Sequence, residues 1–136
     1  MAAQIPESHR DLLDGPVVVG LVTVMPDGQP QATPVWCAYD GAHIVVNTAR
    51  GRQKDRNMQA NPKVTVLAVD PQNPYRFLEV RGEVAESTEQ GALDVINQLS
   101  KKYTGNADYY GRNPQMRGKE QRITYKIRPL HVVARG

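Results

Sequence analysis

The sequence predicts a mainly β domain, a small antiparallel barrel of six strands flanked by two to three helices, on three observations. Valine-rich runs without a helical period alternate with short turn sequences. One segment, Ser87 to Tyr103, carries a clear helical stripe. The strands are mostly hairpin-connected, and closing such a set into a barrel removes its exposed edges.

In chain order, Pro16 to Met25 (PVVVGLVTVM) reads as a strand, PDGQ as a turn, and QPQATPVWCAY as the returning strand. Asp40-Gly41 suits the positive φ angles of a tight hairpin turn, and His43 to Ala49 resumes the strand. A short helix follows and stops at Asn61-Pro62, because proline cannot continue it. KVTVLAVD is a fourth strand, PQNPY a rigid turn and RFLEVRGEVAE a fifth strand. Ser87 with Gln90 resembles a capping box, Ala92, Val95, Ile96, Leu99 and Tyr103 form the stripe, Lys101 and Lys102 suit its C-terminal end, and Gly105 its cap. After a polar loop, QRITYKIRPLHVVARG alternates as a last strand.

The 136 residues are the length of one domain, 1–136. The longest apolar run, Pro16 to Met25, is too short to cross a bilayer, and MAAQIPESHRDLL lacks the features of a signal peptide. Cys37, the one cysteine, has no partner for an intrachain disulfide, and a cytoplasmic location follows as the expectation. The formal charge of +3 is too mild to call for nucleic acid. His9, His43 and His131 are widely separated and share no short spacing with another ligand, so no metal site is expected.

The segment TARGRQKDRNMQANP raises a physical question. It places Arg50, Arg52, Lys54 and Arg56 around a helix start, where the backbone already carries partial positive charge. Cations there call for a negative partner. Thr48, the flexible backbone at Gly51, the fork of Arg52 and the mobile ammonium of Lys54 together suit a phosphate, with Asn57 one turn beyond Lys54. The alternative is a solvated basic face. Trp36, in a strand interrupted by Pro30 and Pro34, could border a planar ligand or fill the core.

Taken together, DGQPQATPVW, NTARGRQKDRNMQANPKV, DPQNPYRFLEVRGEV and KKYTG, in that order, resemble the flavin-binding split β-barrel family that includes pyridoxamine 5′-phosphate oxidase. Within that family the resemblance is to the F420 (deazaflavin)-dependent branch. It implies a six-stranded split barrel and a homodimer with cofactor sites at the subunit interface. It also implies hydride transfer from reduced F420 to an unsaturated small organic substrate. Carried over onto this chain, it gives Thr48, Arg52 and Lys54 to the cofactor phosphate, with Arg50, Gly51 and Asn57 beside them. Pro34, Val35 and Trp36 would border the ring, and Tyr75, Arg76 and Arg81 would approach from the partner subunit. No catalytic acid or base is implied. Residues 30 to 39 contain no basic residue, which departs from the flavin mononucleotide (FMN) oxidases and argues against pyridoxamine phosphate oxidation. An FMN-binding flavoprotein and a non-catalytic flavin or F420 carrier are the alternatives. The surplus Arg50 and Arg56 and the loop from Arg112 to Arg122 are candidates for meeting the polyglutamate tail of F420.

Overall fold

The computed structural model describes residues 2–136. Its strands are β1 (Val19–Val24), β2 (Pro30–Val35), β3 (Ala38–Tyr39), β4 (Ile44–Ala49), β5 (Lys63–Asp70), β6 (Asn73–Thr88) and β7 (Arg122–Arg135). Its α-helices are α1 (Asp11–Asp14), α2 (Gln53–Ala60) and α3 (Ala92–Thr104). The strands form one antiparallel sheet in the order β2-β1-β5-β6-β7-β4-β3.

That order fixes the shape. β2 and β3 lie at opposite edges of the sheet, yet only Trp36 and Cys37 separate them in the chain. Two residues span less than about 11 Å even when extended, so the sheet must curl until its edges nearly meet. The result is a split barrel with seven strands rather than six. The expected strand QPQATPVWCAY is cut in two: Pro30–Val35 pairs with β1, and Ala38–Tyr39 pairs with β4. Side chains at alternate positions fill the interior, among them Leu21, Ile44, Val66, Leu78, Val80, Ile123, Tyr125 and Ile127, each no more than 2% exposed. Leu12 and Leu13 of α1 join the same core.

Two other expectations change. The capping box does not form: Ser87 and Thr88 pair with Tyr125 and Thr124, so sheet hydrogen bonding takes them, and α3 begins at Ala92 behind Gly91. The turn between β5 and β6 is tighter than PQNPY, since Asp70 already pairs with Asn73.

The longest pairing, β6 with β7, slips register between Arg81 and Gly82. Pro129 cannot donate to the ladder, Leu130 is the extra residue, and Gly82 faces Pro129. A Cβ on Gly82 would run into the Arg128 carbonyl oxygen and touch the Ile127 methyl. Gly82→Ala is therefore expected to cost about 1–3 kcal/mol, the range for overpacking. Urea unfolding would measure it.

Candidate functional site

The site begins where the sheet splits. Breaking the strand at Trp36–Cys37 frees backbone groups that a continuous ladder would pair, and the C-terminal end of α3 takes them. Lys102 Nζ donates to the carbonyls of Cys37 (2.6 Å) and Leu13 (2.7 Å). The Tyr103 hydroxyl accepts from the Cys37 N–H (3.1 Å) and donates to the Val17 carbonyl (2.7 Å). Burial pushes the Lys102 ammonium below its ordinary value and the Tyr103 phenol above its own. The Tyr103 ring also stacks on Trp36 at 5.3 Å and 14°, which fixes the indole at the mouth of the split. Cys37 is fully buried, and desolvation raises its thiol pKa.

Gly51, at φ +91°, turns the chain from β4 into α2. Its N–H donates to Asp55 Oδ2 (2.9 Å), and Asp55 Oδ1 accepts from the buried Tyr125 hydroxyl (2.5 Å). The carboxylate of Asp55 also lies 3.6 Å from Arg50. Asp55 is thus the chain's own anion for this turn, but it faces inward and 3% of it is exposed.

Lys54 has no such partner. Among the described residues it makes no ion pair or side-chain hydrogen bond, and it is half-buried. Burial first, and then the guanidiniums of Arg52 and Arg122, hold its ammonium below the ordinary 10.5. Arg52 and Arg122 share one carboxylate, Glu120, at 2.9 and 3.3 Å. Burial opposes the charge on Glu120, but the Tyr110 hydroxyl and the two guanidiniums outweigh it and its pKa is lowered. Arg122, 5% exposed, is fixed further by Asn47 Oδ1 (2.9 Å) and lies over the Tyr109 ring at 5.1 Å. Two guanidiniums therefore share one carboxylate, and the Lys54 ammonium stands near both of them without one.

They line a cleft of about 300 Å³ together with Pro34, Val35, Trp36, Asn47 and Tyr109, floored by Ile96 and Leu99 of α3. Five of the residues expected from the sequence, Pro34, Val35, Trp36, Arg52 and Lys54, thus meet at one place. The others lie elsewhere. Thr48 pairs with Ile123 on β7, is 2% exposed, and points to the face of β4 opposite Asn47, where its hydroxyl has no partner. Asn57 is buried and committed, donating to Thr23 Oγ1 (3.0 Å) and accepting from Gln53 (2.8 Å), so it ties α2 to β1. Gly51 spends its N–H on Asp55, and Arg50 sits between Asp55 and Glu89. Arg76 is clamped by Asp11 and Asp70 and by the Ser8 carbonyl, which anchors the N-terminal segment. Tyr75 is 84% exposed, and Arg81 pairs with Glu79 on the outside of the barrel.

Asn47, Tyr109 and Arg122 enter the cleft without having been nominated individually. Only the basic count of the loop hinted at Arg122, and its role depends on a β4–β7 pairing that joins positions 75 residues apart. Of the other surplus cations, Arg56 folds back onto the Gly51 carbonyl and Gln53, and Arg117 grips Asp108 with 2.8 and 3.0 Å contacts. Among the described residues, no group of three or more His, Cys, Asp and Glu could hold a metal ion. None of the helices there is long and apolar enough to cross a membrane.

Comparison with known proteins adds to this geometry. Residues 5–135 match the pyridoxamine 5′-phosphate oxidase family. An F420 reductase of known structure is 34% identical, with a TM-score of 0.81 over 95% of this chain and 98% of that chain. A conserved hypothetical protein from Mycobacterium tuberculosis is 22% identical (TM-score 0.77, 98% and 86% covered). The heme storage protein HutZ from Vibrio cholerae is 13% identical (TM-score 0.71, 98% and 96% covered). At those identities the last two share the fold alone. No curated protein matches the chain.

Proposed function

We propose that this chain, which belongs to the pyridoxamine 5′-phosphate oxidase family, is an oxidoreductase that uses the deazaflavin F420 to reduce a small unsaturated organic molecule. The observation that carries this reading is Lys54, a half-buried ammonium beside two guanidiniums with no anion of its own among the described residues. A phosphate would complete that set, and the 34% identical F420 reductase points to which phosphate-bearing cofactor. Arg52, Lys54 and Arg122 would hold the phosphate, and Pro34, Val35 and Trp36 would border the ring.

Reduced F420, when bound, supplies a hydride from C5 of its ring. The chain contributes anchoring, orientation and exclusion of water, so that phosphate binding energy is spent on placing the ring. Ile96 and Leu99 make the cleft's floor apolar. The hydride must be balanced by one proton on the reduced substrate, which solvent supplies in this reading, so no side chain is assigned as acid or base.

The same cations would suit the phosphate of FMN, which is the second reading. Titration with F420 and FMN in parallel separates the two, and turnover of reduced F420 with a substrate panel separates an enzyme from a carrier. Tight F420 binding with turnover is the expected result. Preference for FMN, or binding of neither, would overturn the assignment.

Protonation of Lys54 sets the pH dependence. Because its folded pKa is lowered, the apo protein loses that proton at a lower pH than the unfolded chain does, and apo stability rises with pH between the two values. Phosphate binding needs the proton, so cofactor affinity is expected to fall as pH rises through the lowered value, before 10.5 is reached. Calorimetry in buffers of different ionisation enthalpy would detect the proton taken up on binding.

A homodimer completes the reading. The outer face of β2, β1 and β5 exposes Val18, Leu67 and Val69, with Leu130 beside it, and Val18 and Pro34 carry this face to the rim of the cleft. A second copy of the chain is the occupant we assign to it. Tyr75 and Arg81 could then reach a cofactor only across that interface. Leu67→Arg is expected to convert a dimer to a monomer in sedimentation velocity and to weaken cofactor binding.

A further inference from the structure

We propose that a second cleft, beside the first, binds a planar conjugated carboxylate. It measures about 410 Å³ and shares Trp36, Arg52 and Tyr109 with the first cleft. That volume suits a small ligand.

The wall between the clefts is Tyr109. Of the two clefts, only the first is lined by Arg122, which lies over the Tyr109 ring, and only the second by Tyr110 and Met116. Tyr109 stands edge-on to Trp36 (6.0 Å, 90°) and to Tyr110 (4.9 Å, 78°), so the three rings form one aromatic corner. Tyr103 covers one face of Trp36. A flat, conjugated molecule is the shape that such a corner accepts, and the thioether of Met116 can adapt to its outline.

The charge follows from what is already committed. Asp108 gives both carboxylate oxygens to Arg117. Glu120 serves Arg52, Arg122 and the Tyr110 hydroxyl. Arg112, in the same lining, has no ion pair or side-chain hydrogen bond among the described residues and is exposed at the mouth. Its free fork matches a carboxylate in two-point contact. Assigning this ligand as the molecule to be reduced rests on the F420 reading above; its binding does not.

Trp36, the sole tryptophan, reports directly on the corner. Cinnamate is the probe, and cinnamamide is its uncharged counterpart. Saturable quenching by cinnamate is expected, with cinnamamide bound about tenfold more weakly, as for loss of a hydrogen bond to a charged group. Arg112→Ala should bring cinnamate down to the amide's affinity, and Arg112→Lys should recover part of it. Lys54→Met should leave cinnamate binding unchanged while weakening F420, so failure of the cofactor reading is seen separately. The proposal is overturned if quenching does not saturate, if acid and amide bind alike, or if Arg112→Ala has no effect. It is also overturned if F420 but not FMN displaces cinnamate through Arg112, because the guanidinium would then belong to the cofactor's own carboxylates.

Discussion

Lys54→Met is expected to weaken F420 binding by about 10- to 100-fold, the equivalent of a charge-assisted hydrogen bond worth about 1.5–3 kcal/mol. The variant should be at least as heat-stable as the wild type. Methionine keeps most of the lysine stem but removes a half-buried charge that Arg52 and Arg122 repel and that no carboxylate neutralises. A residue that costs stability in the free protein and repays it only when an anion arrives is the pattern of a binding site. Arg122 behaves differently, since its guanidinium is held by Asn47, Glu120 and Tyr109. Arg122→Ala should lose both binding and stability. Paired thermal melts with and without cofactor separate the two cases. A Lys54→Met protein that melts lower and binds normally would show that the ammonium is a structural element.

Tyr103→Phe is expected to destabilise the fold by about 2–4 kcal/mol, because one hydroxyl satisfies both the Cys37 N–H and the Val17 carbonyl beside the fully buried Cys37. The loss should appear as a melting temperature lower by roughly 8–15 °C. It should also reach the site: the phenyl ring can still stack, but the backbone that carries Trp36 keeps only the Lys102 bond to the Cys37 carbonyl as its tie to α3. Lys102→Met should act in the same direction through the carbonyls of Cys37 and Leu13. A melting temperature unchanged in both variants would mean that the split does not depend on this clamp.

Much of this fold is legible because local chemistry and long-range pairing agree. PDGQ closes its hairpin with Met25 N–H on the Gln29 carbonyl and Gly28 at φ +90°. Asp40 N–H bonds the His43 carbonyl around Gly41 in the second hairpin. Proline after Asn61 ends α2 where it was expected to. What could not be read locally is the split. Nothing in TPVWCAY says that its two halves belong to opposite edges of one sheet: each half pairs locally, with β1 or with β4, and the edges are set by β5 and β7, which pair with the far sides of β1 and β4 from later in the chain. Ser87 and Gln90 satisfy the capping pattern, but β7 offers Ser87 a ladder partner and wins.

The candidate site divides in the same way. Arg52 and Lys54 are legible because cations at a helix start ask for an anion, and Trp36 because prolines interrupt its strand. Thr48 and Asn57 fit the spacing of a phosphate segment, yet strand alternation turns Thr48 inward and Thr23 engages Asn57. The third cation, Arg122, lies 70 residues beyond Arg52 in sequence, and only the path of β7 beside β4 brings it to the cleft. The role of KKYTG was equally hidden, since Lys102 and Tyr103 act on the carbonyl and N–H of Cys37, which become free only when the strand breaks.

The most direct measurement is a crystal structure of the protein soaked or grown with F420. The account predicts phosphate density within hydrogen-bond distance of Lys54 and Arg52, facing Arg122, with the ring bordered by Pro34, Val35 and Trp36. Phosphate density elsewhere, with Lys54 still unpartnered, would contradict it.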